Sequence, residues 1–235
     1  MRVAVLTTDT PHHTFFVKEL SRSWPLDVVV AERRQSRASF PTHHEFEDER
    51  DLFEKSTLLD DERLSLKDVA DVMEVDDIND AAPTLKARAP DVLIDFGTGL
   101  IGADLIAVNP AGILNLHGGD PEEYRGLDTH LWAIYHRDFA ALVVTLHLLN
   151  EILDDGAIVL QTALPIRQGQ RLAHLRASTA LACVELVDSV LAVYEHSGTI
   201  PSRPQRRRGR YYSHMPSVLK DVCLHQFHRH TGAGL

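Results

Sequence analysis

The sequence predicts an α/β domain: a mostly parallel sheet with helices on both faces. Three observations carry that expectation. The runs "RVAVLTT", "LDVVVAE" and "DVLIDFG" are continuously apolar and β-branched rather than alternating, as strands covered on both faces are. Segments with helical spacing separate them. The opening reads strand, helix, strand, which commits the first two strands to parallel pairing through a right-handed crossover.

Taken in order, "RVAVLTT" is the first strand, and "HHTFFVKELSRSW" places Phe16, Val17 and Leu20 at helical spacing. "LDVVVAE" is the second strand. Residues 32–64, including "ERRQSRASFPTHHEFEDERDLFEK", are charged and poor in apolar residues, so they read as a solvated helical excursion or a mobile segment. "VMEV" is a short strand, "DINDAAPTLKARAP" a helix up to Pro90, and "DVLIDFG" a buried strand ending at Gly97. "GADLIAV" gives a short helix and "GILNL" the next strand. "LDTHLWAIYHRD" is helical, and "ALVVTLHLL" and "AIVLQTALPI" are strands on either side of "EILDDG". "RLAHLRASTALACVELVDSVLAVYEHSG" is the longest helix, stopped by Gly198. Residues 1–198 thus form the main domain, and 199–235, rich in Arg and Tyr, a C-terminal extension.

Composition narrows the function. The chain has 235 residues, 44% of them apolar, enough for a large core. Its formal net charge is −10, which disfavours nucleic acid and anionic membrane as partners. The longest apolar run, "LACVELVDSVLAV", is interrupted by Glu185 and Asp188, so no membrane span is expected, and the N-terminus has no signal-peptide pattern. Two cysteines without a CxxC fit a reducing, cytoplasmic setting. Cys223, His225, His228 and His230 match no closed zinc spacing, and no metal is expected. The first strand-to-helix turn, "TTDTPHHTF", is neither GxGxxG nor a P-loop, which argues against nicotinamide or ATP there. His12 and His13 nevertheless fall at the carboxyl edge of the sheet, where open α/β folds bind ligands.

The chemistry concentrates at one place. Asn115 and His117 share one face of their strand by the period of two and exit at its carboxyl end. Asp154 sits in the turn of "LDDGAIVLQ". Taken singly, the acid is ordinary turn chemistry and the histidine a satisfied structural group. Together, an amide, an imidazole and a carboxylate are the parts for acyl transfer: a donor for an oxyanion, a proton carrier, and a carboxylate that orients and charges the carrier.

The Asn-x-His strand, the "YRG" that ends the following loop, and "VTLHLLNEILDDGAIVLQ", in this order and spacing, resemble the folate-dependent formyltransferases. Thr145, His147, Asp154 and Gly156 fall in that family's register, and the likeness is firmest over residues 91–166. The resemblance is strongest to the sugar N-formyltransferases. It implies a Rossmann-like formyltransferase fold, 10-formyltetrahydrofolate as donor, and Asn115, His117 and Asp154 as the catalytic set. It also implies a pterin cleft with Phe96, Gly97, Gly99 and Leu100 on one wall and Leu153 and Asp155 near the other. The acceptor side is implied to involve His12, His13, Gly118, Tyr124, Arg125 and Tyr211. The loop "HGGDPEEYRG" departs from the family pattern in its glycines and acids, and that loop borders the acceptor in the family. The short chain and its charge argue against a tRNA acceptor, and the purine enzyme's glycine-rich phosphate turn is missing. What remains is a small primary amine, with a nucleotide-linked amino sugar as the best expectation and the Arg206–Arg210 cluster available for a diphosphate. A formyl-folate hydrolase and a non-enzymatic folate- or nucleotide-binding protein are the alternatives. The oligomeric state is left open, a homodimer included.

Overall fold

The computed structural model describes residues 1–33, 37–59, 63–109 and 111–234. Its elements in chain order are β1 (Val3–Thr7), α1 (Pro11–Ser23), β2 (Leu26–Glu32), α2 (Glu45–Leu58), α3 (Leu66–Val69), β3 (Val72–Val75), α4 (Ala82–Arg88), β4 (Val92–Phe96), α5 (Ala103–Ile106), β5 (Ile113–His117), β6 (Tyr124–Gly126), α6 (Thr129–Tyr135), β7 (Val143–Leu148), β8 (Ile158–Ala163), α7 (Leu175–Ser197), β9 (Arg210–Tyr212) and α8 (Ser217–Thr231). Among the described residues, seven strands form one sheet in the order β3-β2-β1-β4-β5-β7-β8. The five strands from β3 to β5 pair in parallel, and β7 and β8 add antiparallel. The chain switches direction between β1 and β4, which puts a crevice at the carboxyl ends of those strands.

Alternation within each strand sends side chains to two cores. Val3, Val5, Val29 and Ile94 pack with Phe16, Val17 and Leu20 of α1 and Leu186, Val187 and Leu191 of α7. Ala4, Leu6, Val30, Leu93 and Ile113 pack with Ile78, Leu85 and Leu105 on the opposite face. Helices therefore cover both faces, as the apolar strand runs require. Pro11 opens α1, where a missing N–H costs nothing, and Gly198, with φ 69°, closes α7 in the left-handed conformation. The stretch Leu172–Ser197 is long and apolar enough to cross a bilayer by length and composition, but half of its most apolar window is buried inside the domain.

Two parts differ from the sequence expectation. The charged stretch 32–64 is neither wholly solvated nor loose where it is described; residues 34–36 and 60–62 lie outside the described residues. Residues 45–58 form α2, capped by a reciprocal box in which His44 Nδ1 accepts from the Phe46 N–H (3.2 Å) and Glu47 accepts from the His44 N–H (2.9 Å). Phe46, Glu54 and Leu58 are buried, and Leu58 joins Phe15, Ala177 and Ala180 in a seam between α1 and α7. Glu54 is fully buried and takes both forks of Arg176, at 2.6 and 2.7 Å, with His12 at 3.4 Å. The pattern hid this docking because one buried acid per turn looks the same as a solvated one.

An Arg176→Met substitution should therefore destabilise the domain by about 3 kcal/mol, because it strands a buried carboxylate. Adding Glu54→Gln should recover most of that. Chemical denaturation of the three variants measures it, and an unchanged midpoint in the single variant would show the pair to be unimportant.

The second difference is the C-terminal extension, which is built into the main core. Met215, Cys223 and Phe227 are completely buried in it, α8 packs on α6, and β9 pairs in parallel with β6. Two arginines of the basic cluster have acidic neighbours, Arg207 with Glu123 of the acidic loop and Arg208 Nε 3.6 Å from Asp155 of the β7–β8 turn, and just outside the cluster Arg203 pairs with Glu122.

Candidate active site

The carboxyl end of β5 brings the chemistry together. Asn115 pairs with Asp95 of β4 on one side and with His147 of β7 on the other. Neighbours in register project to the same face, so Asp95, Asn115 and His147 form a polar row across the end of an otherwise apolar face. Asp154 reaches this row from the β7–β8 turn. Its backbone is left-handed (φ 50°), a conformation that aspartate tolerates better than most residues.

Several contacts hold the turn. The Arg125 guanidinium donates to Leu153 O (2.9 Å from Nε), and Gln205 Nε2 donates to Asp154 O and Gly156 O at 2.9 and 3.0 Å. Gly156 is required by a close approach: a Cβ there would stand 1.6 Å from Leu148 O.

Two histidines flank the Asp154 carboxylate. Its Oδ1 lies 3.6 Å from His117 Nδ1 and 3.6 Å from His147 Nε2, and its Oδ2 accepts the Gly126 N–H at 2.7 Å. The tautomers follow from the partners. His117 Nε2 faces Tyr124 O at 2.8 Å and so carries a proton, which leaves Nδ1 as its one nitrogen free to accept. His147 Nδ1 gives its proton to Leu148 O (3.0 Å), so its Nε2 accepts from the Asn115 amide at 2.9 Å. Burial lowers the His117 pKa against the raising effect of Asp154, and the imidazole is neutral at pH 7. Asp154 is itself desolvated, yet the histidines and the Gly126 N–H hold it down to about 2, so it is ionised throughout.

Two cavities meet at this group. One, of about 390 Å³, is lined by His12, His13, Phe96, Gly118 and His130, with Phe46, Glu47 and Arg50 of α2 and Arg176 of α7. The other, of about 150 Å³, is lined by Asp95, Gly99, Leu100, Asn115, Leu153 and Asp154. Gly97, Leu116, His117 and Gly126 line both. His117 therefore stands in the wall between two rooms. Burial lowers the pKa of each histidine of the larger room, His130 to about 4, so that room offers neutral imidazoles.

A family model described as formyl transferase matches residues 1–191. The chain belongs to the formyl transferase family, whose members transfer formyl groups. The chain is 32% identical over 123 residues to a methionyl-tRNA formyltransferase of Anaeromyxobacter sp. (strain K), a match covering 52% of the chain and 39% of that relative. It is 32% identical over 139 residues to the Bordetella petrii enzyme of the same name, covering 59% and 43%. The chain thus spans less than half the length of the curated relatives it matches.

Solved structures share its fold at low identity. A 4-N formyltransferase from Francisella tularensis superposes with a TM-score of 0.62 at 15% identity, covering 96% of this chain and 87% of that one. PseJ from Anoxybacillus kamchatkensis, solved with UDP-4,6-dideoxy-4-formamido-L-AltNAc and tetrahydrofolate, gives 0.54 at 15%, covering 91% and 86%. HypX from Aquifex aeolicus, solved with tetrahydrofolic acid, gives 0.60 at 18%, covering 94% and 31%.

Within this member of the family the candidate site residues fall into three groups. Asn115, His117 and Asp154 converge. Gly97, Gly99, Leu100 and Leu153 line the smaller room, while His12, His13, Gly118 and Phe96 line the larger, Phe96 having been expected at the pterin wall. Four expected contacts line neither. The Tyr124 ring stacks on Tyr212 and its hydroxyl reaches Asp138; Arg125 braces the Asp154 turn. Tyr211 is half exposed on β9, packed over Gly126, and Asp155 faces Arg208. Three of the four lie on the parallel β6–β9 pair, of which Gly126 alone lines the two cavities, and Asp155 lies on the β7–β8 turn.

His147 was in the family register yet was given no role. Its signal was the cross-strand position opposite Asn115, which needs the β5–β7 pairing to be known. The histidines near the C-terminus have separate partners: His225 Nδ1 meets Asp221 O, His228 Nε2 accepts the Leu172 N–H, and His230 stacks on Phe139.

Proposed function

We propose that this chain moves a formyl group from 10-formyltetrahydrofolate to the primary amine of a small molecule, with a nucleotide-linked amino sugar as the first acceptor to try. The observation that carries the reading is the Asn115–His147–Asp154–His117 group at the wall between two cavities. The smaller cavity suits a flat heterocycle: Leu100, Ile101, Leu127 and Leu153 give it apolar sides, and Asp95 and Asn150 give it polar edges. The folate donor, when bound, supplies an activated formyl group at its N10. The larger cavity has the volume for a small ligand. Two further observations agree with these assignments: PseJ was solved with a formamido sugar nucleotide and tetrahydrofolate, and a chain carrying −10 is poorly suited to tRNA.

The residues divide the work. A bond forms between the acceptor nitrogen and the formyl carbon, and the bond from that carbon to the folate nitrogen breaks. The Asn115 amide, oriented by His147, donates to the formyl oxygen as negative charge grows there. His117 Nδ1 takes the proton that the amine gives up, and Asp154, 3.6 Å away, stabilises the resulting imidazolium. A proton returns from the same nitrogen to the departing folate nitrogen, which closes the balance. The free, buried Cys183 and Cys223 agree with the reducing, cytoplasmic setting expected from sequence.

The test is a screen. The protein is incubated with 10-formyltetrahydrofolate and a panel of amino-sugar nucleotides, and mass spectrometry looks for the gain of one formyl group. A stable folate analogue should also raise the melting temperature with the logarithm of its concentration above Kd. Formate release without any acceptor would favour a hydrolase. Binding without turnover would favour a folate-binding protein. No thermal shift at saturation would remove folate altogether.

A further inference from the structure

The smaller cavity contains a carboxyl group that the transfer mechanism leaves unused. Asp95 is 5% exposed, lines that cavity, and lies beside Asn115 in register. Among the described residues the hydrogen bonds to its side chain come from Thr98 alone, from the hydroxyl at 2.6 Å and from the backbone N–H. The carboxyl is thus held from one side only, by a single residue of the β4–α5 loop. Its acidic neighbour Glu32, by contrast, accepts the Ile78 and Gly99 N–H groups at 3.1 and 2.6 Å, so the negative charge on this part of the sheet edge is well supported at Glu32.

We propose that Asp95 is a binding residue for the donor's reduced pteridine, and that it works as the neutral acid, giving its proton as a hydrogen bond to a ring acceptor atom. This rests on the folate reading above. The reasoning is electrostatic and geometric. A flat ligand that fills the cavity excludes the water around Asp95. The carboxylate would then keep only the donors of Thr98 and would face Glu32, whereas the acid needs one acceptor and brings its own donor.

Burial is already the main cause that lifts the Asp95 pKa to about 7, with Glu32 adding to it and the Thr98 hydroxyl and His147 opposing it. A carboxylic acid kept neutral at pH 7 by an apolar site is a known hydrogen-bond donor in other enzymes. The charged and titratable groups around it are Glu32 from β2, His117 from β5, His147 from β7 and Asp154 from the β7–β8 turn. Leu6 fills the corresponding place on β1.

The sign is definite. Binding that requires the acid form takes up a proton, so affinity falls as pH rises through 7. The experiment is calorimetric titration of wild type and Asp95→Asn with tetrahydrofolate, kept reduced under nitrogen, from pH 6 to 8.5 in two buffers of different ionisation enthalpy. The wild-type Kd should rise with pH, approaching tenfold per unit at the alkaline end, with up to one proton taken up. Asp95→Asn, which keeps a donor but cannot titrate, should bind with a nearly constant Kd and no uptake.

A flat wild-type profile, or the same slope in Asp95→Asn, would overturn the assignment, and affinity that rises with pH would show that the carboxylate accepts instead. The wild-type proton count decides the matter even if the variant folds poorly. Failure of wild type to bind tetrahydrofolate at any pH would sink the donor reading and this inference together, whereas binding with a flat profile would sink this inference alone.

Discussion

Asp154→Asn and His117→Asn should each lower formyl transfer by about 10²- to 10⁴-fold, the usual span for a lost general acid–base group. The double variant should be little worse than either single one. The coupling follows from the geometry: His117 has one free nitrogen, Nδ1, and it faces Asp154 Oδ1, so removing either partner disables the same proton carrier. Asp155→Asn should keep most activity, since Asp155 faces Arg208 outside both cavities. The pH profile adds a separate check. His117 is held below its ordinary 6.5 and must be neutral to act, so activity should fall as pH drops through that lowered value. Asp154 stays ionised to about 2 and cannot cause that limb. Steady-state kinetics on the four proteins would decide it. Additive losses would break the coupling, and a dead Asp155→Asn beside an active Asp154→Asn would move the chemistry by one residue.

Asn115→Ala should cost about 10²- to 10³-fold in kcat with a much smaller change in KM, the signature of a donor that matters as charge develops on the formyl oxygen. Folding should be nearly intact, because Asn115 is only partly buried and among the described residues its side-chain partner is His147. His147→Phe should reproduce part of the loss, because it leaves the amide unoriented. Wild-type turnover in Asn115→Ala would remove the amide from the mechanism, and a pure KM effect would make it a ground-state contact.

Much of the fold was legible because it depends on period and run length. The parallel strands β1, β2 and β4 carry runs of consecutive apolar residues, and α7 is long and ends on Gly198, so local pattern and global architecture agree there. Half of the site was legible for the same reason: Asn115 and His117 need only the two-residue period to share a face. The rest depends on pairing between distant segments. His147 becomes a partner of Asn115 only through the β5–β7 register, and Asp95 only through β4–β5. Phe46, Arg50 and Arg176 reach the larger cavity through helix docking that hinges on a buried Glu54, and no composition rule distinguishes such an acid from a solvated one. The surroundings of the C-terminal arginines are hidden for a related reason: the acids that meet Arg203 and Arg207 lie some eighty residues earlier, in the loop that carries Glu122 and Glu123.

The shared wall between the cavities has a consequence for the order of events. Gly97, Leu116, His117 and Gly126 line both rooms, and among these four there is no hydroxyl or thiol; the cysteines are both buried elsewhere. The one nucleophilic side chain in the wall is His117, and its free nitrogen is already engaged in carrying the amine's proton in the proposed reaction, so it does not hold an acyl group between two half-reactions. Under the proposed reaction both ligands must be seated at once, and the formyl carbon passes straight from one nitrogen to the other in a ternary complex, without a covalent stop on the protein.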